Sequence, residues 1–198
     1  MPGVQTPALS LPYPSLEPVQ PIGKTIVVYG ASASVGSMVT QIATAAGIKV
    51  IATAGAHNLE LVKRCGAAQV FDHKDPALVE KVVAAIEPSE FVGVFDAVSI
   101  PETIKPSLEI LAKLGGGHLA CVHPPPAEIP ENVKVGMIFA VNDIATPVWR
   151  DYVTPALESG KLQCLPPPTI VGKGLEHINE ALKRSKAGVS ATKLVVEL

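Results

Sequence analysis

Val28-Tyr29-Gly30-Ala31-Ser32-Ala33-Ser34-Val35-Gly36 joins the end of an apolar run, Thr25 to Tyr29, to a stretch of helical spacing that opens at Ser37. Strand, small-residue turn and helix in that order make a cradle for phosphate. A phosphate needs backbone N–H groups aimed at it with no side chain between, and a helix N-terminus adds partial positive charge. Gly30, Ser32, Ala33, Ser34, Val35 and Gly36 are the residues that meet this demand. Against the strict pattern GxGxxG, Ala31 and Ala33 stand at the first two glycine positions and only Gly36 keeps its place. The motif alone does not decide the matter, so its context carries the reading. A buried strand precedes it, and a helix from Ser37 to Ala46 follows with Met38, Ile42 and Ala45 on one face. A tight strand-to-helix turn without a ligand is the competing reading.

Outward from the cradle the pattern alternates. Strands are predicted at Thr25–Tyr29, Lys49–Thr53, Gln69–Phe71, Gly93–Asp96 and Gly117–Val122, separated by helices at Ser37–Ala46, Leu59–Cys65, Ala77–Ile86 and Glu102–Leu111. Short apolar strands separated by helices of about ten residues imply parallel strands with crossover helices on both faces. The expected fold is therefore α/β, a doubly wound parallel sheet of the Rossmann type. Glycines just past the helix ends, Gly47 and Gly66, fit left-handed closing residues. Beyond Pro124-Pro125-Pro126, Val135 to Val141 reads as a sixth strand, and Trp149 to Ser159 as a helix with Trp149, Tyr152, Val153 and Leu157 as its buried stripe. Thr169 to Val171, a helix from Leu175 to Arg184 and a last strand from Lys193 to Leu198 complete the chain. Residues 1–22, with prolines at 2, 7, 12, 14, 18 and 21, read as a linker or extended arm, 23–160 as the nucleotide-binding domain and 161–198 as a C-terminal segment.

Composition excludes several classes. With 47% apolar and 17% charged residues in 198, the chain has the means to bury a substantial core. Sixteen basic and eighteen acidic residues, scattered, indicate neither a nucleic-acid nor a membrane partner. Cys65, Cys121 and Cys164 are far apart, without CxxC or Cys/His ligand spacing, which predicts a reduced cytoplasmic protein with no metal site. The proline-rich N-terminus does not read as a signal peptide, and no segment approaches the roughly twenty apolar residues of a membrane span.

In such a sheet the ligand crosses the carboxyl ends of the strands at the switch point between the first and fourth. A site for NAD places Asp or Glu at the end of the second strand, where the carboxylate accepts from the ribose 2′-hydroxyl and repels a 2′-phosphate. Here the segment Thr53-Ala54-Gly55-Ala56-His57-Asn58 carries no acid, which favours NADP(H). His57 or Asn58 could hydrogen-bond the phosphate, and Lys63 with Arg64 could supply positive charge from the next helix. Alternatively Lys63 and Arg64 form a solvated helix face and His57-Asn58 an ordinary cap. Asp72 and His73 fall at the adenine end, Asp96 with Val98-Ser99 near the nicotinamide ribose, and His123 beside the nicotinamide. Each of these also reads as a cap or turn residue. No Ser/His/Asp, Cys/His or paired-carboxylate set can be assembled, so no catalytic residue is named.

The run Lys24 to Gly36, then Ile51-Ala52-Thr53-Ala54 with His57-Asn58, Cys65-Gly66-Ala67 and Val70-Phe71-Asp72, resembles the cofactor half of the medium-chain dehydrogenase/reductase superfamily. Within it, the chain is most similar to the zinc-independent quinone and enoyl reductase branch, especially the fungal trans-acting enoyl reductases that serve polyketide synthases. The resemblance runs from about residue 10 to the C-terminus, since Gly160-Lys161-Leu162 and the closing Lys193-Leu194-Val195-Val196 also match. It implies NADPH with its pyrophosphate on Ser32 to Gly36, and hydride transfer to the activated double bond of a small-molecule enone or enoyl thioester. It further implies a homodimer paired through the sixth strand and a polyketide synthase as partner. Family members begin with a barrel-like domain and this chain starts after it, so its last helix and strand are expected to lack part of their partner. The alternative function is a truncated, non-catalytic NADP(H)-binding domain or a dimerising subunit, which turnover of enones would distinguish.

Overall fold

Alternation along the first strand decides the layering. In β1 (Lys24–Tyr29), Ile26 and Val28 face one core while Val27 and Tyr29 face another, and all four are buried. A strand buried on both faces needs cover on both, and helices supply it. The computed structural model describes residue 9 and residues 11–138 and 143–198. After β1 come α1 (Ser34–Ala45), β2 (Lys49–Ala54), α2 (Leu59–Arg64), β3 (Gln69–Asp72) and α3 (Leu78–Ile86). Then follow β4 (Glu90–Asp96), α4 (Pro101–Lys113), β5 (Gly117–Cys121) and β6 (Val133–Met137). The six strands are parallel in the order β3-β2-β1-β4-β5-β6. Residues of α1 and α2 join Ile26, Val28, Val50 and Ala52 in one core, and α3 and α4 cover Val27, Tyr29, Ile51 and Leu119 on the other. The expected doubly wound sheet is present, and its direction reverses between β1 and β4.

Four expectations need correction. Helix α1 begins at Ser34, not Ser37, with Ala33 as its extended N-cap residue. Its most buried positions include Gly36, Ser37, Thr40 and Ala43, because small side chains let the helix approach the sheet closely. The anticipated face of Met38, Ile42 and Ala45 is only partly buried and packs against Tyr152, Ala156 and Leu162 from later in the chain. The sixth strand runs Val133–Met137 rather than from Val135 to Val141, and positions 139–142 lie outside the described residues.

The expected stripe on residues 149–159 is broken. Val148–Val153 winds as a π-helix before α5 (Thr154–Glu158) begins. A change from i→i+5 to i→i+4 hydrogen bonding moves the inward side of the helix. Tyr152 and Ala156 point into the core, whereas Trp149 is 62% exposed and Leu157 39% exposed.

The chain ends in β7 (Pro168–Lys173), α6 (Ile178–Ala187) and β8 (Lys193–Glu197), with β7 and β8 paired in a separate two-stranded parallel sheet. One polar tie to the main sheet is Gln41 on α1. Its amide nitrogen donates to the Gln163 carbonyl at 3.1 Å and its oxygen accepts the Gln163 N–H at 2.8 Å. Among the described residues, the N-terminal arm forms no helix or strand up to Gly23. It is nevertheless attached, for the Ser15 N–H donates to Ala45 O at 3.0 Å and the Ile22 N–H to Gly47 O at 3.0 Å.

Candidate nucleotide-binding site

The loop after β1 is tied to the end of β2 by its own backbone. The Gly30 N–H donates to Thr53 Oγ1 at 3.2 Å, the Ala31 N–H to the Thr53 carbonyl at 2.9 Å, and the Ala33 N–H back to Gly30 O at 3.0 Å. Gly30 has φ +74°, and a Cβ there would collide with Val98 Cγ2. Gly30 therefore performs the turn that the strict motif assigns to its first glycine. Gly36 lies against the loop it follows, so that a Cβ would overlap the Gly30 carbonyl oxygen and stand 2.8 Å from the Ala31 Cα.

Ala33 has no side-chain oxygen to cap the helix. Among the described residues, the amides of Val35 and Gly36 consequently meet no protein acceptor, as the opening of a helix requires of an anion site. Ser37 Oγ lies 3.0 Å from Ser34 O and 2.7 Å from Leu165 O, with its one proton shared between the two carbonyls, which places it behind this turn.

A cleft of about 580 Å³ opens at the carboxyl ends of β1, β2 and β4. Gly30, Ser32, Ala33, Thr53, Ala54, His57 and Asn58 line it, so these residues singled out in the sequence share one cleft. Val35 and Ser34 are exposed on the first turn of α1, and Gly36 is buried beneath the loop. Lys63 is exposed on α2 and paired with Glu60 at 2.6 Å. Asp72 Oδ1 accepts the Lys74 N–H at 3.1 Å, while its neighbours His73 and Lys74 reach the cleft wall. His123 is exposed past the end of β5.

Ser99 is 8% exposed, at φ +56°, and both lone-pair and proton are used inside the protein. Its Oγ donates to Asp96 O at 2.8 Å and accepts the Val122 N–H at 2.9 Å. Asp96 is wholly buried, and its Oδ1 accepts the amides of Val98 (3.0 Å) and Ser99 (2.8 Å), an arrangement that presents Val98 and Ile100 to the cleft. Burial, then the Asp96 charge, pushes the Tyr29 hydroxyl up to about 12. Burial also raises the Cys121 thiol to about 11, with the Ser99 hydrogen bond opposing it and Asp96 adding to it.

Val98, which the sequence placed near the nicotinamide ribose, lines the cleft, whereas sequence reasoning missed Tyr29, Gly55, Lys74, Ile100, Glu102, Thr103 and the loop residues Val189, Ser190 and Ala191 as parts of its wall. The first six of those missed follow elements already placed, and the motif's neighbours could have indicated them. The last three come from far along the chain and carry no local signal.

A family model described as zinc-binding dehydrogenase matches residues 34–145, the cradle helix through the segment after β6. The chain belongs to the zinc-binding dehydrogenase family. This dehydrogenase-family chain corresponds to the cofactor-binding half of the medium-chain dehydrogenase/reductases. It is 76% identical over 201 residues to the dehydrogenase orsE of Emericella nidulans, covering 100% of this chain and 58% of that protein. It is 38% identical over 196 residues to the trans-enoyl reductase himH of Aspergillus japonicus, covering 96% of this chain and 56% of that one. The chain thus spans somewhat over half the length of these relatives.

Two solved structures share the fold. The quinone oxidoreductase of Pseudomonas syringae superposes with a TM-score of 0.68 at 21% identity, over 91% of this chain and 58% of that one. CurA from Vibrio vulnificus, solved in complex with NADPH, gives 0.63 at 21% identity over the same shares, 91% and 58%.

Zinc, which the family description names, does not fit the residues at hand. Among the described residues no three of His, Cys, Asp or Glu converge to hold a metal ion. A dinucleotide does fit, because the turn packs too tightly for a side chain at Gly30 or Gly36 and the amides of Val35 and Gly36 at the opening of α1 are left without a protein acceptor among the described residues. No helix among the described residues is long and apolar enough to cross a membrane.

Proposed function

We propose that the cleft binds NADPH and that the protein is an enoyl or quinone reductase. The observation that carries the cofactor assignment is the absence of a carboxylate where β2 meets the cleft. There the wall is Thr53, Ala54, Gly55, His57, Asn58, His73 and Lys74. Imidazole, amide and ammonium donors suit a 2′-phosphate, and a carboxylate would repel it. Glu102 is the sole acid lining the cleft among the described residues, and it stands on the α4 side.

In this reading Ser32, Ala33 and the unpaired amides of Val35 and Gly36 hold the pyrophosphate. His57 and Asn58 hold the 2′-phosphate, and Lys63 adds long-range positive charge. Tyr29, Val98 and Ile100 supply apolar wall, while Asp96 and Ser99 fix the turn that positions it. Asp72 orients Lys74 through its backbone. When bound, the cofactor supplies the hydride for reduction of an activated carbon-carbon double bond. The substrate class, an enone or enoyl thioester, rests on the likeness to a trans-enoyl reductase. His123, exposed past β5, is assigned to the nicotinamide end.

Calorimetric titration of the chain with NADPH and NADH, with enone turnover followed in the same samples by loss of reduced-nicotinamide absorbance, tests the reading. Tighter binding of NADPH together with turnover supports it. Binding without turnover supports a cofactor-binding half that needs further protein for catalysis. That second reading is favoured by the apolar exposure of the C-terminal unit, where Leu175 is 67% and Leu182 62% exposed. No binding of either nucleotide overturns both.

A further inference from the structure

The loop between α6 and β8 reaches back to the end of β2. Ser190 Oγ lies 2.9 Å from His57 Nε2 and 2.9 Å from Asn58 Nδ2, across a separation of 133 residues in sequence from the histidine. The amide nitrogen of Asn58 can only donate, so it occupies a lone pair of the hydroxyl and leaves the hydroxyl proton free to be given. The Nδ1–H tautomer of His57 lets Nε2 accept that proton, at 2.9 Å. His57 accepting at Nε2 carries its own proton on Nδ1. That nitrogen lies over Gly55, 3.7 Å from where a Cβ on the glycine would stand, with the His73 ring over the same residue. The Nδ1–H is thereby set at the β2 end of the cleft.

Ser190 does not arrive there by a free rotation of the tail. Ala191 packs against the core beside α1 and β2, and Lys193 Nζ donates to the carbonyls of Leu165 and Pro166 at 2.7 and 2.9 Å. The Leu165 carbonyl also receives Ser37 Oγ from the cradle helix. The loop is therefore fastened on the side of the cradle before it meets His57.

We propose that Ser190 is a positioning residue that determines cofactor specificity: it holds His57 as an Nδ1–H donor toward the nucleotide 2′-phosphate. This rests on the reading of the cleft as an NADPH site. It makes the C-terminal loop, rather than the β2 segment alone, responsible for discrimination between phosphorylated and unphosphorylated ribose.

The test is calorimetric titration with 2′,5′-ADP and 5′-ADP, on the wild-type chain and on S190A, S190T and the double variant H57A/S190A. In the expected result the wild type prefers 2′,5′-ADP. S190A weakens that ligand by about tenfold, the scale of one hydrogen bond to a charged group, and leaves 5′-ADP unchanged. S190T keeps the hydroxyl and restores the preference, and H57A/S190A loses little beyond S190A because the two residues act as one unit. Equal weakening of both ligands, or none, overturns the proposal while leaving the NADPH reading intact. A wild type that binds both ligands equally, or neither, overturns that reading and the proposal with it.

Discussion

Gly36 sits against the carbonyl of Gly30 so closely that no side chain can be placed between the cradle helix and the loop that precedes it. The contact keeps the helix N-terminus and the loop in one rigid piece, which is the arrangement an anion needs.

Replacing Gly36 by Val is expected to push α1 away from the loop, costing about 2 kcal/mol of stability and eliminating nucleotide binding. Gly30→Ala adds strain at φ +74° and a collision with Val98, so the cleft wall shifts as well. Urea denaturation and calorimetric titration with NADPH check both effects. Unchanged affinity in Gly36→Val would remove the cradle assignment.

The paired hydrogen bonds between Gln41 and Gln163 join α1 to the C-terminal segment, alongside the bond from Ser37 Oγ to Leu165 O. Gln41 is 8% exposed, so Gln41→Ala leaves two backbone groups of Gln163 without partners. The expected cost is about 1–3 kcal/mol. Faster proteolytic release of the segment after Lys161, seen by mass spectrometry, is the accompanying signature.

Asp96→Ala strands the amides of Val98 and Ser99 in a buried turn, with a loss of about 2–4 kcal/mol measured in urea. Asp96→Asn has a different signature. It removes the negative charge that raises Tyr29 and Cys121, so both groups should ionise at lower pH than in the wild type. Absorbance of tyrosinate and of thiolate reports this directly.

Alkaline pH should destabilise the native chain progressively. Cys121 and Tyr29 hold their protons more tightly when folded than at their ordinary values of 9.0 and 10.0, being raised to about 11 and about 12. Above the unfolded value the native state binds more protons than the unfolded state, so unfolding free energy falls as pH rises. The contribution from Cys121 is intact below pH 9 and lost through about 11, and that from Tyr29 is intact below 10 and lost through about 12. Urea midpoints measured from pH 8 to 11.5 should decline over this window, and Tyr29→Phe should flatten the upper part.

Thiol modification should distinguish the three cysteines. Cys65 and Cys121 are buried and Cys164 is exposed. Burial also raises the thiols of Cys65 and Cys121, which withholds the reactive thiolate. A chromogenic disulfide reagent at pH 8 should titrate one thiol in the native chain and three in urea.

The sequence by itself determined the parallel sheet, because a strand such as Thr25–Tyr29 that is apolar on both faces demands helices on both sides. It also singled out the strand-to-helix turn, since a run of Gly, Ala and Ser there leaves only backbone to meet a ligand. The missing acid after Thr53 was equally readable, because it concerns only the few residues that follow one strand. Local patterns such as these depend on neighbours a few positions away. The tertiary structure alone decided that Gly30 makes the turn against Val98, which face of α1 meets the sheet, and that Trp149 faces outward from a π-wound turn. It alone brought Ser190 to His57. Each of these depends on which distant segment packs where, and packing is settled by the shape of the whole core rather than by the period of any one element.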